Sequence, residues 1–306
     1  MLYRSGVALA IFSYILWGIT PLYYRLMPGA QPLELLAQRI IWSIPLLLVI
    51  RYLIKNKTLW PQVWQDKRSI ILCLFSSAVM AISWSAFTYA LTHGQVLAAS
   101  LGYFINPLFS ILLGMLFLHE RLAIAEKMAV IFILAGVSYQ ILQYGELPLL
   151  ALVMGSAFAI YGLIRKFIRF DVITSLFLEA LWLLPLAIII MFWLDRQGES
   201  AVLSGGFEIK LLYMLTAPVT ILPLLFFTAA IKRTTLTVIG LAQYIEPTIQ
   251  FLLAIFLFNE LFDSVKGVSF SLIWIGLLFC ILSLFHKRYI EHHKNPPFIT
   301  GRDKTL

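Results

Sequence analysis

Glu246 lies inside the apolar stretch Leu236 to Phe258, where an ionised carboxylate has little water to hold it. A group so placed must face a cavity, meet a cation or take up a proton, so two chemistries are open to it: proton exchange and attraction of a cationic solute. Around it Gly240, Gln243, Gln250 and Ala254 recur at helical spacing, and Ser100, Tyr103, Asn106, Ser110 and Gly114 form a second stripe of the same kind. Two such stripes predict a shared polar cavity. For the small members Ser100, Ser110, Gly114, Gly240 and Ala254, ordinary interhelical contact is the better account. Pro107 and Pro247 fall among these residues near mid-stretch, where proline removes a backbone hydrogen bond, kinks the helix and frees carbonyls to line a cavity.

Arg39 and Glu179 are the other charges placed deep in apolar stretches. Each sits about six or seven residues inside its own stretch, or about 9 Å from opposite faces at a helical rise of about 1.5 Å. Across a core about 30 Å thick this leaves about 12 Å between their levels, so each is expected to mark its own vestibule rather than to pair. Arg39 could hold a substrate carboxylate, or it could snorkel to the headgroups beside Glu34. Trp17, Trp42, Trp84, Tyr103, Tyr161, Trp182 and Tyr244 also lie within these stretches. Taken singly they read as packing; several around one polar centre would favour flat, aromatic or cationic compounds.

The elements that must position these residues are ten apolar segments, at about 6–24, 33–54, 69–92, 96–118, 122–142, 147–165, 172–194, 211–231, 236–258 and 267–286. Each has the length of a bilayer-crossing helix. The chain is 61% hydrophobic and 12% charged, where a soluble domain carries about 25% charged residues, so it cannot hide its apolar surface in one water-soluble core. The first segment has too long an apolar run for a signal peptide and no small-x-small site before Gln31, which reads as a retained membrane helix. Cys73 and Cys280 fall inside segments and read as buried thiols.

Alternating the loops places Arg4, Arg51, Lys55, Lys57, Lys67, Arg68, Arg121, Lys127, Arg165, Lys166, Arg169, Lys232, Arg233, Lys287, Arg288, Lys294, Arg302 and Lys304 on one face. Only Arg25, Arg196, Lys210 and Lys266 fall on the other. The basic face is therefore expected in the cytoplasm, with both termini. Spread over loops and a tail, the net charge of +8 makes no compact basic domain, so no nucleic-acid partner is expected.

The second half of the chain repeats the first. Leu101, Ile105, Pro107, Leu112, Leu113 and Glu120 have identical counterparts 140 residues on, at Leu241, Ile245, Pro247, Leu252, Leu253 and Glu260. The same offset maps Trp42 and Pro45 onto Trp182 and Pro185, Phe87 and Thr88 onto Phe227 and Thr228, and Gly136 onto Gly276. Five crossings per half make the second half enter from the opposite face, so the repeat is inverted. The expected fold is an all-α integral membrane protein of ten transmembrane helices in two inverted five-helix repeats, residues 1–143 and 144–288, with a cytoplasmic tail at 289–306. Such transporters hold their substrate near the midplane between the halves.

The strings YILWGITP (14–21), QRIIWS (38–43), ASLGYFINPL (99–108), YGLIRK (161–166), LEALWLLP (178–185), PLLFFTAA (223–230) and QYIEPTIQFLLA (243–254) resemble the RarD-type branch of the EamA family, in the drug/metabolite transporter superfamily. The resemblance spans nearly the whole chain. It implies a central cavity built by helices one to four and six to nine, and transport of small metabolites or drugs across the bacterial inner membrane, often outward. At matching motif positions it implies cavity roles for Trp17, Arg39, Trp42, Trp84, Tyr103, Asn106, Tyr161, Glu179, Gln243 and Tyr244. Glu246 departs from the small residue the family pattern implies there, and so is a candidate for a difference in substrate or coupling. Glu120 and Glu260 match a recurrent helix-end position with a structural role.

The function expected is secondary transport of a small metabolite or drug-like solute, amino-acid-like, aromatic or cationic, by alternating access and in the direction of export. A lipid or isoprenoid flippase is the nearer alternative and an intramembrane enzyme the more distant one. His119, Glu120 and Arg121 do not form the His-Glu-x-x-His zinc motif, and no phosphate-binding Gly-x-x-x-x-Gly-Lys-Ser/Thr loop is present, so neither metal, nucleotide nor other cofactor is expected. The lipid bilayer is the one certain partner, the solute the second; nothing in the sequence sets an oligomeric state.

Overall fold

The computed structural model describes the backbone of residues 2–55, 58, 60–93, 96–145, 149–258 and 263–294. In chain order its helices are α1 (Leu2–Gly18), α2 (Thr20–Tyr24), α3 (Pro32–Leu53), α4 (Trp60–Gln65), α5 (Lys67–Thr92), α6 (Val96–Phe117), α7 (Ile124–Tyr144), α8 (Leu149–Phe167), α9 (Val172–Gln197), α10 (Ala201–Ser204), α11 (Phe207–Ile231), α12 (Leu236–Gln243), α13 (Ile245–Phe256) and α14 (Ser264–Lys294). Among the described residues there is no strand. Among the described residues nine helical segments are long and apolar enough to cross a bilayer, and α6 adds the shorter apolar stretch Gly102–Phe117.

Local chemistry explains where the helices begin and end. Pro32 opens α3, where its missing N–H costs nothing. Asp171 caps α9 by accepting from the Ile173 and Thr174 N–H groups, each at 3.0 Å, and Gly198 closes that helix in the left-handed region at φ 68°. Asp66 caps α5 through the backbone N–H and hydroxyl of Ser69, and these bonds hold its carboxyl below the ordinary aspartate range. Two carboxylates cap across helices. Glu34 accepts from the Ser200 hydroxyl at 2.7 Å and from the Ala201 and Val202 N–H groups at the start of α10. Glu120 likewise accepts from the N–H groups of Leu236 and Thr237, and from the Thr237 hydroxyl, at the start of α12. Its repeat mate Glu260 and the side chain of Ser100 lie outside the described residues, as does the tail beyond Lys294.

Two expected helices are interrupted. The first segment breaks at Ile19, before Pro21 at the start of α2. The ninth breaks at Tyr244, which ends α12 and begins α13, with Pro247 in the first turn of α13. Its counterpart α6 runs unbroken through Pro107. The connection after α3 contains the short α4, and that after α9 the short α10.

Two compact units divide the chain, Met1–Glu120 with Gly145–Phe262, and Arg121–Tyr144 with Asp263–Leu306. In the first, α5 packs on α8 and α1 on α11, α6 lies on α8 and α12, α3 lies on α9 and α11, and α1 also meets α12 and α13. Polar groups stitch these crossings: Ser83 of α5 donates to the Met154 carbonyl of α8 at 3.0 Å, and Ser13 of α1 donates to the Pro223 carbonyl of α11 at 2.8 Å. Many serines and threonines are buried among the apolar side chains of the interior, while Ile188, Ile189, Phe192 and Trp193 of α9 are exposed, the pattern of a surface meeting hydrocarbon.

The second unit is the antiparallel pair α7 and α14. A Cβ on Gly136 would stand 2.8 Å from the Ser269 carbonyl, and one on Gly276 would stand 2.9 Å from the Ala129 carbonyl. Small residues thus bring the two backbones together, and the Ser269 hydroxyl donates to the Gly136 carbonyl at 2.9 Å.

In the first unit Gly240 of α12 makes a tight interhelical contact, where an added Cβ would stand 2.8 Å from the Pro107 carbonyl of α6. Backbone cannot yield as a flexible side chain would. Gly240→Val should therefore destabilise the folded protein by about 1–3 kcal/mol, read as a lowered unfolding midpoint in detergent. Gly206→Ala, where the new methyl meets nothing within 4 Å, should lower the midpoint less, at a cost of about 1 kcal/mol or under for alanine at the N-cap of α11.

Candidate functional site

A small cavity of about 30 Å³ opens among α3, α5, α8, α9 and α11, with Arg39, Ser77, Trp84, Tyr161, Glu179 and Thr220 in its lining. That volume holds about one water, so any larger solute needs the helices to part.

The acidic wall is neutralised. Glu179 of α9 pairs with Arg165 of α8 at 2.6 Å, with both side chains almost fully buried. Arg165 Nε donates to the Tyr161 hydroxyl at 2.6 Å and its Nη1 to Ser175 at 3.2 Å; Tyr161 in turn donates to Glu179 at 3.2 Å. Ser76 of α5 supplies Glu179 with a further donor at 2.8 Å. The carboxylate therefore has partners on two other helices, α5 and α8, and the guanidinium is held by a tyrosine one turn earlier on its own helix.

The basic wall is not neutralised. The Arg39 guanidinium lies over the Trp84 ring at 3.9 Å, its Nε is buried without a partner, and among the described residues no carboxylate pairs with it. Glu34, one turn before it on α3, is committed to the start of α10. A cation resting on an indole face, with an unused N–H in a desolvated setting, is suited to a planar anion such as a carboxylate.

Other residues singled out from the sequence gather elsewhere. Trp17 joins the aromatic wall beside the cavity, its ring 5.6 Å from both Tyr14 and Phe227, while Phe227 stacks on Tyr161 at 6.1 Å. Trp42 is part-exposed and donates to Gln38 at 3.0 Å. Tyr103 stands edge-on to Phe87. Asn106, Gln243 and Glu246 are buried at the level where α6 meets the break between α12 and α13, with Tyr244 donating to the Phe104 carbonyl at 2.8 Å. Gln250 donates to Glu246 at 3.3 Å. The cavity thus holds Arg39, Trp84, Tyr161 and Glu179 together rather than in separate vestibules, and the remaining polar residues form a second centre at the helix break.

Arg165 was missed as a site residue because its place near the end of a segment reads as a loop cation. The structure puts it inside α8 and buried. Its four-residue spacing from Tyr161 is the signal that could have found it.

Removing one partner of a buried pair strands the other charge. Arg165→Leu should lower stability by about 3–5 kcal/mol, and the double variant Arg165→Leu with Glu179→Leu should recover most of the loss. Unfolding midpoints of the three proteins in detergent measure this; a double variant as unstable as the single one would show that stranding is not the cause.

Residues 4–141 match the EamA-like transporter family. An uncharacterised transporter of Vibrio cholerae is 38% identical over 90% of this chain and 91% of its own length. Protein RarD of Escherichia coli is 36% identical over 92% of this chain and 96% of its own. A crystal structure of a protein only 16% identical superposes with a TM-score of 0.68 over 92% of this chain and 98% of that one, a likeness of fold alone. On this identity and shared length the chain belongs to the EamA-like transporter family as a RarD-type member.

Proposed function

We propose that this chain is a secondary transporter of the bacterial inner membrane that moves a small carboxylate-bearing solute, amino-acid-like or aromatic, outward by alternating access. The observation that carries the substrate reading is Arg39. It is an intramembrane cation with a desolvated, unused N–H, stacked on Trp84 and facing a cavity whose one carboxylate is already satisfied by Arg165. An apolar-aromatic body would lie against Trp84, Trp17 and Tyr161 while its carboxylate takes the guanidinium.

Ten crossings in two inverted repeats, 1–143 and 144–288, with both termini cytoplasmic, supply the moving parts. The contacts support this reading. Offset by 140 residues, α5 becomes α11, and the α5–α8 crossing has its counterpart in α11–α1. Position 83 and its mate 223 both lie at those crossings in serine-to-carbonyl bonds. In the pair α7 and α14, Gly136 meets position 269 as Gly276 meets position 129, again related by 140. The tight cavity corresponds to an occluded stage, and rocking of one half against the other would open it to each side in turn.

Proteoliposomes holding wild type or Arg39→Gln test this with two labelled probes, an aromatic amino acid and the amine that lacks its carboxylate. The variant should lose roughly tenfold or more in uptake efficiency for the acid, chiefly through KM, and much less for the amine. Equal loss for both probes would remove Arg39 as the carboxylate holder. Movement of neither, with scrambling of a labelled lipid, would replace solute transport by lipid flipping.

A further inference from the structure

The break at Tyr244 collects buried oxygens that have no donor. Tyr14 on α1, Asn106 on α6 and Gln243 at the end of α12 are 0%, 5% and 2% exposed, and the Tyr14 hydroxyl, Asn106 Oδ1 and Gln243 Oε1 all lack a hydrogen-bond partner. Each would cost free energy as an empty buried acceptor, and together they offer three oxygens with no donor to satisfy them. Glu246, 7% exposed in the first turn of α13, adds a carboxylate that receives only the 3.3 Å bond from Gln250; among the described residues it has no ion pair.

The backbone brings these groups to one level. Gly240 faces the Pro107 carbonyl, next to Asn106, and Gln243 lies three residues on, on the same face of α12. Tyr244 reaches Phe104, and Glu246 is within electrostatic reach of Tyr103 on α6 and of Tyr14 on α1. Tyr14 belongs to the apolar cluster that contains Ala242 and Ile245, on either side of the break. Pro247 has no N–H to give the Gln243 carbonyl, so that main-chain oxygen is freed at the C-terminal, negative end of α12.

We propose that this break is a sodium site, in which the Glu246 carboxylate, the Asn106, Gln243 and Tyr14 side-chain oxygens and the freed Gln243 carbonyl hold one ion. It rests on the secondary-transport reading and names its coupling ion. The donors are all hard oxygens, as an alkali or alkaline-earth cation requires, and they carry a single negative charge, which matches a monovalent ion. A bare proton would satisfy Glu246 and leave the neutral oxygens empty. The close approach of α12 to α6 at Gly240 favours a small ion over a large one. Broken helices whose carbonyls and C-terminal ends face a cation are a recurring way to bind a coupling ion in membranes.

The test is saturable binding of radiolabelled sodium to the purified full chain in detergent, at constant ionic strength made up with choline. Wild type should bind one sodium, displaced by unlabelled sodium and not by choline. Glu246→Gln should weaken binding by roughly thirtyfold or more, and Asn106→Ala, which leaves the charge in place, by roughly tenfold. Size-exclusion profiles check that each variant is folded, and either variant alone suffices. Absence of saturable sodium binding in wild type overturns the proposal, as does undiminished binding in a folded variant. Saturable binding of a labelled organic ammonium with no sodium bound assigns the site to substrate and also overturns it. Because binding is read without transport, the two readings fail separately: solute movement on a proton gradient with no sodium bound removes only the ion site, and sodium binding with no solute movement removes only the transporter.

Discussion

Hydrocarbon cannot solvate a charge or a backbone polar group, so each one buried in this protein must be answered from within it. That constraint explains the density of contacts around Glu179. Its carboxylate is met by Arg165, Tyr161 and Ser76, so α5, α8 and α9 are tied at one point by bonds that water would otherwise supply. It explains Glu34 and Glu120 as well, each spent on the free N–H groups that open another helix. Against this background the unanswered groups are informative: Arg39 on one side, and Glu246 with its neutral oxygens on the other.

Close approach of helices is the second requirement, and small residues provide it. With no hydrophobic drive between helices in lipid, adhesion comes from van der Waals fit and polar contacts, both of which need short axial distances. Gly240 against Pro107, Gly155 against the Asn106 backbone, and Gly136 and Gly276 in the pair α7 and α14 set those distances. Two of these glycines border the polar centre at the break, so the spacing that gives adhesion there also sets the width of the site.

The apolar segments were legible because span length and composition are properties of the chain itself. Most helix limits fall within a few residues of the expected ones, and the caps at Asp171 and Gly198 follow from residue type. What could not be read is how tertiary contacts distribute polar partners. Arg165 counts as a loop cation when charges are summed by loop, and only its tertiary contacts with Glu179 and Ser175 of α9 reveal it as interior. Arg39 and Glu179 were expected on separate levels by counting from helix ends, yet both reach one cavity, since side chains as long as arginine's span a helical turn. The two prolines looked alike, while one sits in a continuous helix and the other follows a break. α4 and α10 are too short for periodicity to register.

Arg39 and an ionised Glu246 carry opposite signs, and Tyr103 lies within electrostatic reach of both. A carboxylate at Arg39 and a cation at Glu246 would each neutralise a charge that otherwise opposes closure of the cavity in a low-dielectric interior. On the alternating-access reading proposed above, either site occupied singly would leave the other charge desolvated as the halves close, and both occupied together would leave no net charge at either centre. Preferential closure of the doubly occupied form requires no contact between solute and ion, because the coupling arises from the desolvation each spares the other. Arg165 and Glu179, neutral as a pair in every state that keeps them together, stay outside this balance and can serve as a fixed wall against which the rest moves.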